Sequence, residues 1–461
     1  MTPFARFASE RLRGDCSTRT DLLARHSTDM GIYSITPQAV VTPADAEDIA
    51  TLLPYCSDAR WPVTPRAGAS NTGGAAVGRG VILLPIPVPT AAKSEPVTIV
   101  EESNDSIVVD VPAGFRHDRL QQWLSARGYH LPSDPSSGPL SFIGANVATR
   151  ASGAHALQHG AIDRYLVSLR AVLADGTRID TARPQTVPVA LRDGLDSLAR
   201  ELSPDSASRE RIEAKRLMKS ASGYNLSALV TSAPEALDTT AVLNSLFAGS
   251  VGTLGVIEGV TLRCPRAPEG ETLVVLSFQS ETDACEAVEA VRESVPSACE
   301  ILNAFCVEIL AGQGVSWAES ADALLVVEYA GDGHRDRADR ARAGVSAADG
   351  LLTTVVIDDP DDQAQFWKLR KQMMLRLRNR TDHRAALSVV NDVGVPVSRL
   401  PQLLSGAATI FHRYAIPLPV YGHAADGNLH LRPLYDTADH RLGSVIAATA
   451  AETYELVLSL G

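Results

Sequence analysis

Two histidines, His423 and His430, stand at either end of Asp426-Gly427-Asn428, a run that reads as a tight turn between two short strands. Neutral imidazoles placed this way can converge on one divalent ion, with zinc or manganese the best match to nitrogen ligands. The same H-x6-H spacing suits two ordinary hydrogen-bonded histidines, and spacing alone leaves both readings open. A second chemistry is written in Pro65-Arg66-Ala67-Gly68-Ala69-Ser70-Asn71-Thr72-Gly73-Gly74. A loop so rich in small residues presents successive backbone N–H groups, and such a nest can hold a diphosphate without side-chain charge. The alternative is a plain glycine-rich turn. Gly68 and Gly73 have Walker A spacing, but Gly74-Ala75 stand where Lys-Ser/Thr must follow, so no ATP loop is present. A Rossmann fingerprint runs from strand to helix, whereas this loop runs from a helix (Asp45 to Ala59) through a short extended run into the strand Val81 to Pro85.

The elements that must position these groups belong to a chain of 461 residues, 45% hydrophobic and 21% charged, a composition typical of a globular protein of two or three domains. Its net charge of −12 argues against nucleic acid as a partner. No apolar run reaches bilayer length, and Met1 to Met30 is too charged for a signal peptide. Cys16, Cys56, Cys264, Cys285, Cys299 and Cys306 form no C-x-x-C pair. The expectation is therefore reduced thiols in a cytoplasmic protein, with no iron–sulfur cluster or zinc ribbon within this chain.

Met1 to Thr36 reads as a helical preface, followed by strands and the helix His117 to Arg127, with Leu120, Trp123 and Leu124 at burial spacing. Turn chemistry and small residues then accumulate at Ser133 to Ser137, Ile143 to Thr149, Ser152-Gly153 and His159-Gly160, over a length that argues against an idle surface loop. Further clusters lie at Lys219 to Leu226 and Gly249 to Ile257, after a polar insertion at about 183–216. Pro265 to Gly270 marks a boundary, beyond which strands and helices alternate. That alternation predicts an α+β domain whose sheet is covered by helices on one side, with a helix from Asp361 to Arg380 and a strand from Leu387 to Pro396.

The ordered set Pro65 to Gly74, Ser133 to Ser137, Ile143 to Thr149, Ser152-Gly153, Val172 to Gly176, Gly249 to Ile257, Asn391 to Pro396 and Tyr421 to His430 resembles the FAD-linked oxidases of the vanillyl-alcohol oxidase and p-cresol methylhydroxylase superfamily. Within it the chain is most similar to the D-lactate, glycolate and D-2-hydroxyglutarate dehydrogenase branch. The resemblance implies an α+β fold. A two-part FAD-binding domain of p-cresol methylhydroxylase type would span 37–263, and a substrate (cap) domain with an antiparallel sheet would span 264–461. It implies FAD contacts at Pro65, Arg66, Ala67, Gly68, Ala69, Ser70, Asn71, Gly74, Pro132, Ser133, Asp134, Ser136, Ile143, Gly144, Asn146, Ala148, Thr149, Ser152, Gly153, Gly252, Gly255, Val256 and Ile257. Relatives with covalently bound flavin carry histidine where Ala69 stands, so FAD is expected to be noncovalent. Glycine is usual at Ala67 and Ala69, a departure that bears on FAD affinity.

By the same resemblance His423 and His430 are metal ligands, Arg370 clamps the substrate carboxylate and Asn428 hydrogen-bonds the substrate. Ala425 replaces a family glycine. A lysine expected of 2-hydroxyglutarate enzymes aligns with Val390, which points to a smaller acid such as lactate or glycolate. The family's Glu-His-Gly, carrying a third metal ligand and a base, would follow Gly461, so the chain reads as truncated and as the flavin half of an FAD plus iron–sulfur fusion. The implied activity is oxidation of a D-2-hydroxy acid to the 2-oxo acid by hydride transfer to flavin N5. Electrons would pass to a quinone, a cytochrome or an iron–sulfur protein. Rival readings are an NADPH-dependent flavin reductase and a FAD-loaded electron-transfer or assembly subunit. A homodimer and a peripheral place at the membrane remain open.

Overall fold

The computed structural model describes residues 3–88, 96–202, 205–217, 221, 223–231, 237–315, 321–379 and 383–461. Lys219, Ser220 and Ser222 of the small-residue cluster, and Arg380 at the end of the expected helix, lie outside them. The chain forms two compact units, one from Met1–Ser152 with Ala161–Ala267, the other from Gly153–Gly160 with Pro268–Gly461.

In the first unit a four-stranded sheet runs in the order Asp15–Ser17, Ala39–Thr42, Val81–Leu83, Val63–Pro65. The last three are parallel, and Asp15–Ser17 adds antiparallel. The stretch expected as a helical preface thus contributes a strand to the sheet, and Phe4 of its helix Pro3–Arg11 is buried in the same core. The helix Ala46–Asp58 begins where Asp45 accepts hydrogen bonds from the N–H groups of Glu47 and Asp48, a normal N-cap, and it buries Ile49, Leu52, Leu53 and Cys56. Asp48 is itself buried and accepts from the N–H groups of Arg13, Gly14 and Ala44, which ties the preface down. Burial opposes its ionisation, but these backbone donors win and hold its carboxyl below the ordinary range.

A five-stranded antiparallel sheet follows, in the order Thr98–Glu102, Ser106–Pro112, Val256–Pro265, Leu166–Val172, Arg178–Asp180. Its core joins Ile107, Val109 and Val111 to Leu120, Ile143, Leu169, Val260 and Leu262. The segment Ile143–Ala148 is a short helix.

The second unit is built on a seven-stranded sheet, ordered Leu351–Ile357, Glu271–Phe278, Ala323–Ala330, Ala298–Asn303, Val420–His423, Asn428–Leu431, Asp392–Gly394. All its pairings are antiparallel. Helices cover both faces, which corrects the one-sided expectation. Leu276, Ile301, Leu325 and Val327 pack with Ala284, Val288, Ala341 and Leu403, whereas Leu273, Val275, Leu302 and Val326 pack with Val307, Phe366, Leu369 and Met373. Strands buried on both faces read as continuous apolar runs, and Ala323–Ala330 is buried at every position. The strand expected from Leu387 to Pro396 is replaced by Arg384–Ala386 and Asp392–Gly394, because the first pairs with Leu434–Asp436 and the second with Asn428–Leu431 in a different sheet. Among the described residues no helix is long and apolar enough to cross a membrane.

Candidate functional site

The first unit contains a cavity of about 270 Å³ whose wall includes Pro65, Arg66, Ala67, Gly68, Ala69, Ser70 and Asn71. Among the described residues, no protein acceptor meets the N–H groups of Ala67, Gly68, Ala69, Ser70 or Asn71. Those of Gly73 and Ala75 turn instead to Asn71 Oδ1, at 2.7 and 3.2 Å, and that of Gly74 to Asp29 at 3.1 Å. A run of unpaired amides in a cavity wall suits a multivalent anion such as a diphosphate. Arg66 donates to the Ala76 carbonyl at 2.9 Å and the His26 carbonyl at 3.3 Å; burial lowers its pKa while Asp29 raises it.

Close approach is enforced by glycine at two positions. A Cβ on Gly68 would stand 1.9 Å from the Leu140 carbonyl oxygen, and one on Gly144 would stand 2.5 Å from Ala113 Cβ. Ala69 has φ +51°, so the L-residue where relatives have glycine sits in the left-handed region.

Of the other residues carried over by resemblance, Gly144, Asn146, Ala148, Thr149, Gly252, Gly255, Val256 and Ile257 line the same cavity. Gly74, Pro132, Ser133, Asp134, Ser136, Ile143, Ser152 and Gly153 do not. Ile143 is core, the Ser133 hydroxyl donates to the Ala151 carbonyl, and Gly153 belongs to the second unit. Reasoning from sequence missed Ser141, whose Oγ is buried in the cavity wall without a hydrogen-bond partner. An orphaned hydroxyl and a row of unpaired amides are what a large polar ligand would satisfy, so the wall fits FAD. The signal for Ser141 was its place in Ser133 to Thr149.

In the second unit the chemistry lies on one face of the sheet. Glu300 stands directly across from His423, and His423 from Asn428; in the next row Leu302 faces Tyr421, Tyr421 faces His430 and His430 faces Asp392. Side chains two residues apart share a face, so Glu300, Tyr421, His423, Asn428, His430 and Asp392 project together. The helix Pro360–Arg378 lies over the same core and brings Arg370, only 5% exposed.

Glu300 is fully buried and uses both oxygens: Oε2 pairs with Arg370 (Nε 2.6 Å, Nη2 2.5 Å), and Oε1 accepts from His423 Nδ1 at 2.5 Å. Burial alone would raise its pKa, but Arg370 and His423 more than offset this and hold it well below the carboxylate range. His430 Nδ1 bonds to Asp392, and the His423 and His430 ring centroids are 5.1 Å apart. Burial pushes the His430 pKa down, Asp392 opposes that, and Arg432 and Arg370 add to it. Arg370 also lies over the Tyr421 ring at 4.6 Å, and Arg432 at 5.8 Å.

The structure therefore brings Arg370, His423, Asn428 and His430 together, but Arg370 does not present an open fork. Its Nε donates to Glu300 Oε2, Nη2 lies 2.5 Å from the same oxygen without making a hydrogen bond, and Nη1 has no protein acceptor among the described residues. Asn428 Nδ2 donates to the Val393 carbonyl at 3.2 Å. Gly427 has φ +68° and no room for a Cβ, which would meet the Val395 carbonyl at 2.0 Å. Ala425 is accommodated in the core. Val390 packs in the core with Ile301 and Val393, not in the one holding Tyr421, so it gives no measure of the acid's size.

Carboxylates on the Nδ1 atoms of both histidines are the arrangement that orients imidazole ligands toward a metal through Nε2. Among the described residues no group of three His, Cys, Asp or Glu is placed to hold an ion. Glu300, Asp392 and Arg432 were not foreseen as site residues. Glu300 in Ala298–Asn303, an otherwise apolar strand apart from its last residue, was the available signal.

Comparison with known proteins adds to this geometry. Residues 37–182 match the family described as FAD binding domain, and residues 267–461 match that described as FAD linked oxidases, C-terminal domain. D-2-hydroxyglutarate dehydrogenase of Pantoea ananatis is 24% identical, over 97% of this chain and 46% of that protein. D-lactate dehydrogenase of Archaeoglobus fulgidus is 26% identical, over 86% of this chain and 75% of its own. Glycolate oxidase subunit GlcD of Bacillus subtilis is 22% identical, over 93% and 80% respectively. The chain spans about half the length of the D-2-hydroxyglutarate dehydrogenases it matches. A solved alkyldihydroxyacetonephosphate synthase superposes with a TM-score of 0.67 at 15% identity, covering 100% of this chain and 81% of the other, a likeness of fold.

Proposed function

The chain belongs to the FAD-linked oxidases, and on that premise we propose that it oxidises a D-2-hydroxy acid to the 2-oxo acid and passes electrons to an acceptor other than oxygen. The observation that carries this reading is the single sheet face on which Arg370, Glu300, His423, Asn428 and His430 meet. The N–H groups of Ala67 to Asn71 would hold the diphosphate of noncovalent FAD, which would supply a two-electron sink when bound. Leu83, Val256 and Ile257 give the same cavity an apolar wall.

Arg370 holds the substrate carboxylate through Nη1 while Glu300 fixes its other edge. Asn428 Oδ1 accepts a hydrogen bond from the acid. The carboxylates of Glu300 and Asp392 hold the Nδ1 protons of His423 and His430, which makes Nε2 the ligating nitrogen of each neutral ring. Zinc or manganese held by those two nitrogens would lower the pKa of the substrate hydroxyl. Arg432 is a second cation close to His430, available to a longer acid with a distal carboxylate.

The test is anaerobic reduction of the FAD- and Zn2+-reconstituted chain, followed by flavin absorbance, with D-lactate, glycolate, D-2-hydroxyglutarate and NADPH in parallel. Bleaching by a D-2-hydroxy acid and not by NADPH is expected. Bleaching by NADPH alone would make the chain a reductase. Reduction by none would leave an electron-transfer or assembly role.

A further inference from the structure

Glu300 is buried at 0% exposure in the middle of a sheet, where an ionised carboxylate is costly unless every lone pair is used. Its two oxygens have different partners. Oε1 accepts from His423 Nδ1 at 2.5 Å and Oε2 accepts from Arg370 Nε at 2.6 Å. The first contact follows from strand register, because Glu300 and His423 are Cα partners in an antiparallel pair. The second comes from the helix Pro360–Arg378 above, which seats the guanidinium between Glu300 and the Tyr421 ring. A buried ion pair adds little net stability over an apolar replacement of equal volume. Its geometric consequence is larger. Arginine is always a donor, so a carboxylate that meets Arg370 with one oxygen and His423 with the other requires a proton on His423 Nδ1, which in the neutral ring leaves the lone pair on Nε2.

We infer that Glu300 is the positioning residue of the site, one carboxylate that fixes both the His423 tautomer and the Arg370 guanidinium, so that the hydroxyl and carboxylate ends of a 2-hydroxy acid are registered against each other. The inference rests on the proposed hydroxy-acid function for its substrate, but the tautomer it demands belongs to this chain whatever the substrate.

Two replacements separate positioning from packing. Glutamine is isosteric with glutamate but offers one acceptor and one amide donor group. Since Arg370 cannot give up its protons, the carbonyl oxygen introduced by Glu300→Gln turns to Arg370 and the NH2 to His423, which must then accept at Nδ1 and carry its proton on Nε2. Aspartate is shorter but keeps two acceptors. The measurement is 15N NMR of the full chain, FAD-loaded and metal-free, labelled at histidine, with the His423 signals identified by their absence in His423→Gln. The wild type and Glu300→Asp should show the Nδ1–H form, and Glu300→Gln the Nε2–H form. Zn2+ affinity should fall about 10- to 100-fold in Glu300→Gln, the usual effect of losing a carboxylate behind a histidine ligand. A merely structural role predicts the reverse order, with the glutamine variant behaving as wild type. Unchanged tautomer and unchanged Zn2+ affinity in Glu300→Gln would overturn the inference. Should Glu300→Gln not fold, Glu300→Asp decides alone, since Nε2–H in that variant contradicts the proposal and Nδ1–H with retained Zn2+ binding supports it. Failure of every D-2-hydroxy acid to reduce the wild-type flavin would refute the proposed function and leave the tautomer result standing.

Discussion

Ala69 is the residue at which the loop of residues 65–74 departs most from an unstrained backbone. Holding an L-residue at φ +51° costs roughly 1–2 kcal/mol relative to glycine, part of which glycine returns through its freedom in the unfolded chain. Ala69→Gly is therefore expected to stabilise the first unit by about 0.5–1 kcal/mol, read from the urea midpoint at unchanged slope. Arg370 makes a different case. Lysine is a single point charge and cannot span Glu300 and a ligand together. Losing one charge-assisted hydrogen bond of about 1.5–3 kcal/mol predicts a rise in KM for the acid of roughly 10- to 100-fold in Arg370→Lys, with the flavin spectrum unaltered. An unchanged KM would remove Arg370 from substrate binding. The sequence motif identified Arg370 but not its ion pair, because Glu300 is 70 residues away along the chain.

At the scale of elements, the loop after Val63–Pro65 works only because another stretch of backbone can touch it. With Leu140 O only 1.9 Å from a Cβ built on Gly68, Gly68→Ala must push the loop off its neighbour. At least tenfold weaker FAD binding is expected, measured by quenching of flavin fluorescence, and equal affinity would contradict the placement of the diphosphate. The loop's composition announced it, whereas the strands of the second unit announced themselves by length and apolarity. What the strand pattern left undecided was pairing. In place of the one strand expected from Leu387 to Pro396 stand Arg384–Ala386, just before it, and Asp392–Gly394, which join two different sheets, since pairing depends on partners far along the chain.

For the whole molecule, each unit carries a buried carboxylate with a depressed pKa, Asp48 in the first and Glu300 in the second. A lowered folded-state value means stability that is present above the unfolded carboxylate range, near pH ~4, and is lost as pH falls through the folded value. Acid unfolding followed by circular dichroism should therefore steepen below about pH 4, and Asp48→Asn should flatten part of that dependence while lowering stability at neutral pH. An acid profile identical to wild type in Asp48→Asn would show that its three backbone hydrogen bonds do not matter to folding. Texture by itself marked a small-residue loop, a boundary at Pro265 to Gly270 and an α+β second part, because a nest of amides, a capped helix and an apolar strand are local properties of neighbouring residues, whereas the FAD-binding reading of the first part came from resemblance. The working face of the second unit was decided only by tertiary structure. Glu300 meets His423 across 123 residues of chain, and only strand register could bring the carboxylate, the imidazole and the guanidinium to one point.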